Sequence, residues 1–237
     1  MTAVRKSRIF PPFLSATVQK ERRMNDSFRA LRFRRLIRSV YTKRFSKYGR
    51  QPHGVFWSDL VRQQSRFKII HNQISALVPS GVVKVADIGC GYGSLADYIR
   101  ETPSCSRFVY TGYDINPTLI ATCREHSNLP SKSFSVSDCP LELVDFSVMS
   151  GTYNMSVTKD LVHWERYVFR CLAKCWGQSR LGMIFNMLVA DKSHISEGML
   201  YHCEVEKLRR RCVQQFGATR IIREATLPRD VTLVITR

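Results

Sequence analysis

From Pro52 onward the apolar positions fall into short β-rich runs separated by helical stretches. Leu60, Phe67, Ile70, Ile74 and Leu77 share one side of a helix over 58–77. Strands follow over 82–88, 108–113, 133–136, 145–149 and 181–188, the second ending at Asp114. Helices fill 94–100, 117–126, 159–176 and 205–216, and Pro117 suits a first helical turn. Runs at 220–225 and 231–236 read as a final antiparallel pair. The alternation predicts an α/β fold: a Rossmann-like, seven-stranded, mostly parallel sheet with an antiparallel last strand and helices on both faces. Upstream, Phe28, Leu31, Ile37, Val40 and Tyr41 recur at roughly helical spacing over 26–47, with Asp26 or Ser27 as the N-cap.

Charge changes the picture only at the N-terminus. The chain has 237 residues, 37 Lys+Arg against 19 Asp+Glu, and a net charge of +18. About 15 of the basic and 2 of the acidic residues lie in the first fifty, so the rest is nearly balanced at roughly +5. The expected division is therefore a basic arm, 1–50, and a body, 51–237. Arg5, Lys6, Arg8 and Lys20, with Ser7, Ser15 and Thr17, make an acid-poor start that fits an organelle transit peptide. The helix at 26–47 carries Arg29, Arg32, Arg34, Arg35, Arg38, Lys43 and Arg44. Such a helix suits nucleic acid, an anionic membrane surface or a partner groove; the plainer alternative is a solvated helix packing its apolar stripe on the body.

At 44% hydrophobic residues the chain is not broadly disordered. Its longest apolar stretch, 181–190, is interrupted by Gly182 and Asn186 and is too short to span a bilayer. None of the eight cysteines forms a Cys-x-x-Cys pair and the six histidines show no zinc-ligand spacing, so no metal is expected and the thiols read as reduced core residues.

The most informative stretch is Ala86-Asp87-Ile88-Gly89-Cys90-Gly91-Tyr92-Gly93, directly after a strand. Alternate glycines let the backbone turn tightly and let a ligand lie against it. In a dinucleotide fingerprint the third glycine would come one residue later, where Ser94 stands. Asp87 is awkward beside a pyrophosphate but suits a cation such as the amino group of a methionine moiety. Asp114, at the next strand end, is placed to accept from ribose hydroxyls. Together these residues point to S-adenosylmethionine.

The combination resembles the class I S-adenosylmethionine-dependent methyltransferases over about 81–237. The resemblance implies that Asp87 contacts the methionine part, that Gly89, Cys90, Gly91 and Gly93 form the loop beneath it, that Asp114 binds the ribose, and that Ile115 and Asp138 meet the adenine. A narrower likeness, from about Tyr41, is to a bacterial-type, largely uncharacterised group of these enzymes. It is carried by Tyr48-Gly49, Gly54-Val55, Trp57, Gln64, Arg66-Phe67, Tyr110-Thr111-Gly112-Tyr113-Asp114, Ser150-Gly151 with Asn154, Phe185-Asn186-Met187-Leu188, and Leu227-Pro228 with Asp230 and Thr232. The chain departs from that group at Ala225, Thr226, Arg229 and Val231. A bacterial-type body behind a basic leader implies a mitochondrial protein.

Methyl transfer asks a protein mainly to align donor and acceptor. Asn154 and Tyr153, with Ser150, are the candidate catalytic residues; Asn186, Tyr201 and Asp230 are further acceptor-side candidates. Trp57 and Tyr92 are candidates for closing over the cofactor. The expected function is a methyltransferase whose acceptor is RNA, such as rRNA, or a ribonucleoprotein recognised by the basic arm. The alternatives are a methyltransferase-fold factor for mitochondrial ribosome assembly and a small-molecule methyltransferase.

Overall fold

The computed structural model describes residues 16–237, with side chains from Met24 on. The basic residues Arg5, Lys6 and Arg8 of the expected leader lie outside this range. Helix α1 (Ala16–Tyr48) precedes α2 (Leu60–Leu77). Then follow β1 (Val83–Ile88), α3 (Ser94–Glu101), β2 (Phe108–Asp114), α4 (Pro117–His126), β3 (Phe134–Val136), β4 (Val144–Met149) and α5 (Leu161–Gly177). The chain ends with β5 (Ser179–Val189), β6 (His194–Ile195), β7 (Tyr201–Cys203), α6 (Val205–Gln215), β8 (Ala218–Ile222) and β9 (Asp230–Thr236).

The strands β3-β2-β1-β4-β5 are parallel, and β9 runs antiparallel beside β5 with β8 outside it. These are the seven expected strands. The sheet has nine, because the short antiparallel pair β6–β7 attaches to the carboxyl end of β5. Strands of two and three residues carry too few alternating positions to show a period, so the sequence pattern does not reveal them.

Alternation along each strand sends side chains to two helical layers. Val83, Val85, Phe146, Val148 and Ile184 meet Phe67 and Ile70 of α2, Leu95 of α3 and Ile120 of α4. Ala86, Ile88, Met149, Met183 and Phe185 meet Trp164, Val168 and Leu172 of α5 and Leu208 of α6. Asp59, Asn116 and Asp160 cap α2, α4 and α5 through their side chains, which fixes where each helix begins.

The second layer is completed from an unexpected direction. The connection from β3 to β4 is only residues 137–143 and holds no helix, yet it must pass β2 and β1. Helix α1 lies beside α5 where a crossover helix would otherwise cover the sheet. Phe33, 6% exposed, packs its ring 6.1 Å from Trp164 and 5.6 Å from Tyr167. Arg166 pairs with Asp26 at 3.1 Å, and Arg34 approaches Asp138 of the connection at 3.6 Å. Asn116 donates to Thr42 at 3.0 Å, and Arg38 donates to the Ile115 carbonyl at 2.5 Å. A boundary at residue 50 thus divides in sequence what packs as one body, and the helix does seat its apolar stripe on that body.

If α1 is structural, Phe33→Ala lowers unfolding stability by about 3 kcal/mol in urea titration, as for other buried phenylalanines. An unchanged midpoint would return α1 to the status of an appendage.

Candidate functional site

A cleft opens at the carboxyl ends of β1, β2 and β4, where open parallel sheets place their ligands. It encloses about 950 Å³ between its walls, part of it open to solvent. Its floor is the loop after β1. Gly89, Gly91 and Gly93 have φ of +75°, +59° and +89°, which side chains disfavour. At Gly89 a Cβ would also stand 2.6 Å from the Thr152 methyl, so space as well as conformation selects glycine.

Asp87 and Asp114 flank this loop. Asp87 is 3% exposed and accepts from the Tyr110 hydroxyl at 2.9 Å. Burial raises its carboxyl to about 7, against the Tyr110 hydrogen bond, and the Asp114 charge adds to the rise. Asp114 accepts from the backbone N–H of Gly91 at 3.1 Å and of Asn116 at 2.8 Å, so the acid at the end of β2 also fixes the glycine loop. Burial raises it to about 6; the two N–H bonds and the Arg38 charge oppose that rise. Two buried carboxylates without a full cationic partner cost stability unless a ligand supplies the missing groups.

The structure brings Asp87, Gly89, Cys90, Gly91, Asp114, Ile115, Asp138 and Tyr153 onto the walls of one cleft. Gly93 lies just behind, as the residue before α3, with the Cys123 thiol 3.3 Å from where its Cβ would be. Asp138 lines the cleft, but its Oδ2 receives Lys174 at 2.7 Å and faces Arg34 at 3.6 Å. Despite burial, those two cations hold it below its ordinary value.

Asn154 is a strut. Its side-chain oxygen accepts from the Leu188 N–H at 3.1 Å and its carbonyl from Tyr201, which ties the β4 loop to β5 and β7; it does not line the cleft. This is the loop-structure alternative to an acceptor ligand. Tyr153 does line the cleft, and burial lifts its phenol well above the ordinary range, so it is a neutral hydroxyl and no base. Tyr201 donates to Glu165, away from the cleft.

Asn186 and Asp230 stand behind the acceptor side. Asn186 accepts from the Gly151 N–H at 2.6 Å. Asp230 pairs with Arg66, whose guanidinium lies 4.3 Å from the Trp57 ring centre. Trp57, Ser150 and Gly151 form the wall itself. The pair therefore holds the wall from behind. Tyr92, on the opposite flank, donates to Gln63 at 3.2 Å. The departures Ala225, Thr226 and Arg229 are exposed on the turn before β9, and Val231 is buried against the sheet; none reaches the cleft.

Sequence reasoning missed the wall made by α1 and α5. Ile37, Arg38 and Tyr41 line the cleft from α1, and Trp164, Tyr167 and Cys171 line it from α5. Tyr41 is buried beside Asp114, and both burial and that charge raise its phenol. The signal was available in the spacing of Phe33, Ile37 and Tyr41, one helix face pointing at the body.

Among the described residues no cluster could hold a metal ion, and no helix is long and apolar enough to cross a membrane. No protein-family profile matches the chain. A provisionally named methyltransferase of Mycobacterium tuberculosis, Rv1506c, is 28% identical over 120 residues, which cover 49% of this chain and 71% of that protein. Among solved structures, an S-adenosylmethionine-dependent methyltransferase from Leishmania major superposes with a TM-score of 0.59, at 11% identity, covering 84% of this chain and 82% of that one. The 1,6-didemethyltoxoflavin-N1-methyltransferase of Burkholderia thailandensis, solved with 1,6-didemethyltoxoflavin and S-adenosylhomocysteine bound, gives 0.56 at 13% identity, covering 97% and 92%. The chain has the fold of class I S-adenosylmethionine-dependent methyltransferases.

Gly89→Ala should cost about 2 kcal/mol in urea unfolding, through its positive φ and the Thr152 contact. Adding Thr152→Ala should return part of that loss. Full tolerance of the alanine would mean that the loop is not held as described.

Proposed function

We propose that the protein is an S-adenosylmethionine-dependent methyltransferase. The observation that carries this reading is the pair of buried carboxylates, Asp87 and Asp114, on either side of a glycine loop that Asp114 itself ties down. The residues fit the cofactor. Asp87 would take the methionine ammonium, Asp114 the ribose hydroxyls, and Gly89 and Gly91 leave the room a Cβ would fill. When bound, S-adenosylmethionine supplies a methyl group activated on a sulfonium. Trp57, Val55 and Gly151 would exclude water from the transfer line and orient the acceptor. No side chain of the cleft is poised as a strong base at neutral pH other than the two carboxylates, which the cofactor would occupy. The acceptor would therefore bring a nucleophile already competent at neutral pH, or lose its proton to solvent.

The geometry supports a small acceptor best. The acceptor side is walled by Val55, Trp57 and Phe67, and α1 covers the neighbouring flank. Several of the charges that suggested RNA are engaged within the fold: Arg34 with Asp138, Arg38 with the Ile115 carbonyl, and Arg44 with the His53 carbonyl. An RNA or ribonucleoprotein acceptor remains the second reading, favoured by Arg32, Arg35, Lys43 and Lys47 on the exposed face of α1. We also propose a mitochondrial location, on the acid-poor leader alone; a fluorescent fusion of residues 1–50 checks it by import.

Methyl-tritiated cofactor separates the acceptor classes. Label should enter the small-molecule fraction of a cell extract and not its RNA or protein, and the protein should not retain RNA at low salt. Label in RNA would reverse the order of the two readings. No transfer to any fraction, with Asp87→Ala and Asp114→Ala leaving the cellular phenotype unchanged, would favour an assembly factor.

The carboxylates also set a pH dependence. An Asp87 raised to about 7 is protonated below that value, and its proton competes with the ligand's ammonium. The dissociation constant of S-adenosylmethionine should rise as pH falls below 7, by at most about tenfold per unit, and be flat above 8. Methylthioadenosine, which lacks the amino acid part, should show a weaker dependence confined to pH values near 6, where Asp114 titrates. Identical profiles for the two ligands, by calorimetry, would refute the role given to Asp87.

A further inference from the structure

Among the described residues, five buried side-chain polar atoms lack a hydrogen-bond partner: Ser150 Oγ, Tyr153 OH, Trp164 Nε1, Asn186 Nδ2 and Asp230 Oδ1. Most buried polar groups in folded proteins are paired, so each such atom asks for a partner that the chain does not provide. Three of the five belong to residues lining the cleft, and two of those, Tyr153 and Trp164, sit at its inner end near Asp138, with Tyr167 and Cys171. Trp164 is fully buried and Tyr153 is 5% exposed.

The polar groups of the turn after β3 are already spent. Asp138 Oδ2 receives Lys174 and faces Arg34, the Cys139 N–H donates to Ser137 Oγ at 3.2 Å, and that hydroxyl donates to the Cys139 carbonyl at 2.7 Å. A ligand entering this end meets Trp164 Nε1–H, which can only donate, and the Tyr153 hydroxyl, which can also accept. A ring nitrogen next to an exocyclic amino group is the complementary edge. Adenine presents that combination twice, at N1 with N6 and at N7 with N6.

We propose that Trp164 and Tyr153 read the adenine edge of the cofactor, with Trp164 Nε1–H donating to N1 or N7 and the Tyr153 oxygen accepting from the N6 amino group. This inference rests on the cofactor reading above and deepens it: α5, rather than the turn after β3 alone, sets the specificity for the base. A dry indole N–H left unpaired is costly, so the site rejects a base that cannot accept from it.

The test uses S-adenosylhomocysteine and its 1-deaza, 3-deaza and 7-deaza analogues, titrated into the intact protein by calorimetry. The wild type should bind the 3-deaza compound like the parent and either the 1-deaza or the 7-deaza compound about tenfold more weakly. Trp164→Phe should remove that discrimination, by weakening the parent rather than strengthening the analogue. Tyr153→Phe should leave the ring-nitrogen preference and erase the preference for adenine over the corresponding hypoxanthine compound. If the wild type binds parent, 1-deaza and 7-deaza compounds alike, the inference is wrong and the cofactor reading stands. Discrimination that persists in Trp164→Phe overturns it as well. A wild type that does not bind S-adenosylhomocysteine at all removes both. The analogue series in the wild type decides the matter even where a core variant fails to fold.

Discussion

The architecture depends on the shortness of the connection between β3 and β4. Seven residues must cross from an edge strand, past two others, to the strand on the far side of β1. A crossover of that length has no room for a helix, whereas parallel sheets need both faces covered. The uncovered strip lies over the carboxyl ends of β1 and β2, where the cleft is. Whatever fills it becomes a wall of the ligand site. The chain fills it with α1, and that choice explains why the basic segment behaves as part of the body.

Placing α1 there couples charge to burial. Asp138 sits on the short connection, and a lone carboxylate there would be half-buried between two helices. Lys174 from α5 and Arg34 from α1 neutralise it, so the ion triad is also the seam that closes the layer. Arg38, one turn further along α1, lowers the cost of Asp114 and caps the Ile115 carbonyl. The cleft then contains carboxylates whose burial is only partly compensated, which is the electrostatic condition for binding a cationic, hydroxyl-bearing ligand rather than a phosphate.

The parts of the site that lie next to one another in the chain were legible in the sequence. Strand, acid, glycines and second acid are all contained in 83–114, and their spacing alone carries the geometry, because a β-strand and its turn leave little conformational choice. Elements with clear periods, α2 to α6 and β1 to β5, are also where the pattern puts them, within a few residues. What sequence could not supply is contact between distant segments. Charge made Asp26–Lys47 look like an arm, since arginines facing water and arginines facing Asp138 or a backbone carbonyl are the same letters. Trp164 read as helix core, and it is core; only the cavity beside it turns its N–H into a recognition group. Asn154 read as a ligand because it follows β4, but the backbone of β5 claims its oxygen first.

The same distinction decides how the unusual residues before β9 are to be weighed. In sequence, Ala225, Thr226 and Arg229 interrupt a family pattern close to Asp230, which suggests a damaged acceptor side. In space they are on an exposed turn, while Leu227 and Asp230 face inward. Asp230 keeps Arg66 beneath Trp57, and Asn186 keeps Gly151 in place, so the frame behind the acceptor wall is intact. Removing one partner of a buried pair such as Arg66–Asp230 leaves an uncompensated charge costing about 3–5 kcal/mol, whereas exposed turn positions tolerate exchange within about 0.5 kcal/mol. Divergence has accumulated where the fold makes it cheap and not where it would undo the wall. The altered turn is therefore an argument about what the enzyme's outer surface meets, and not about whether its cleft can hold donor and acceptor in line.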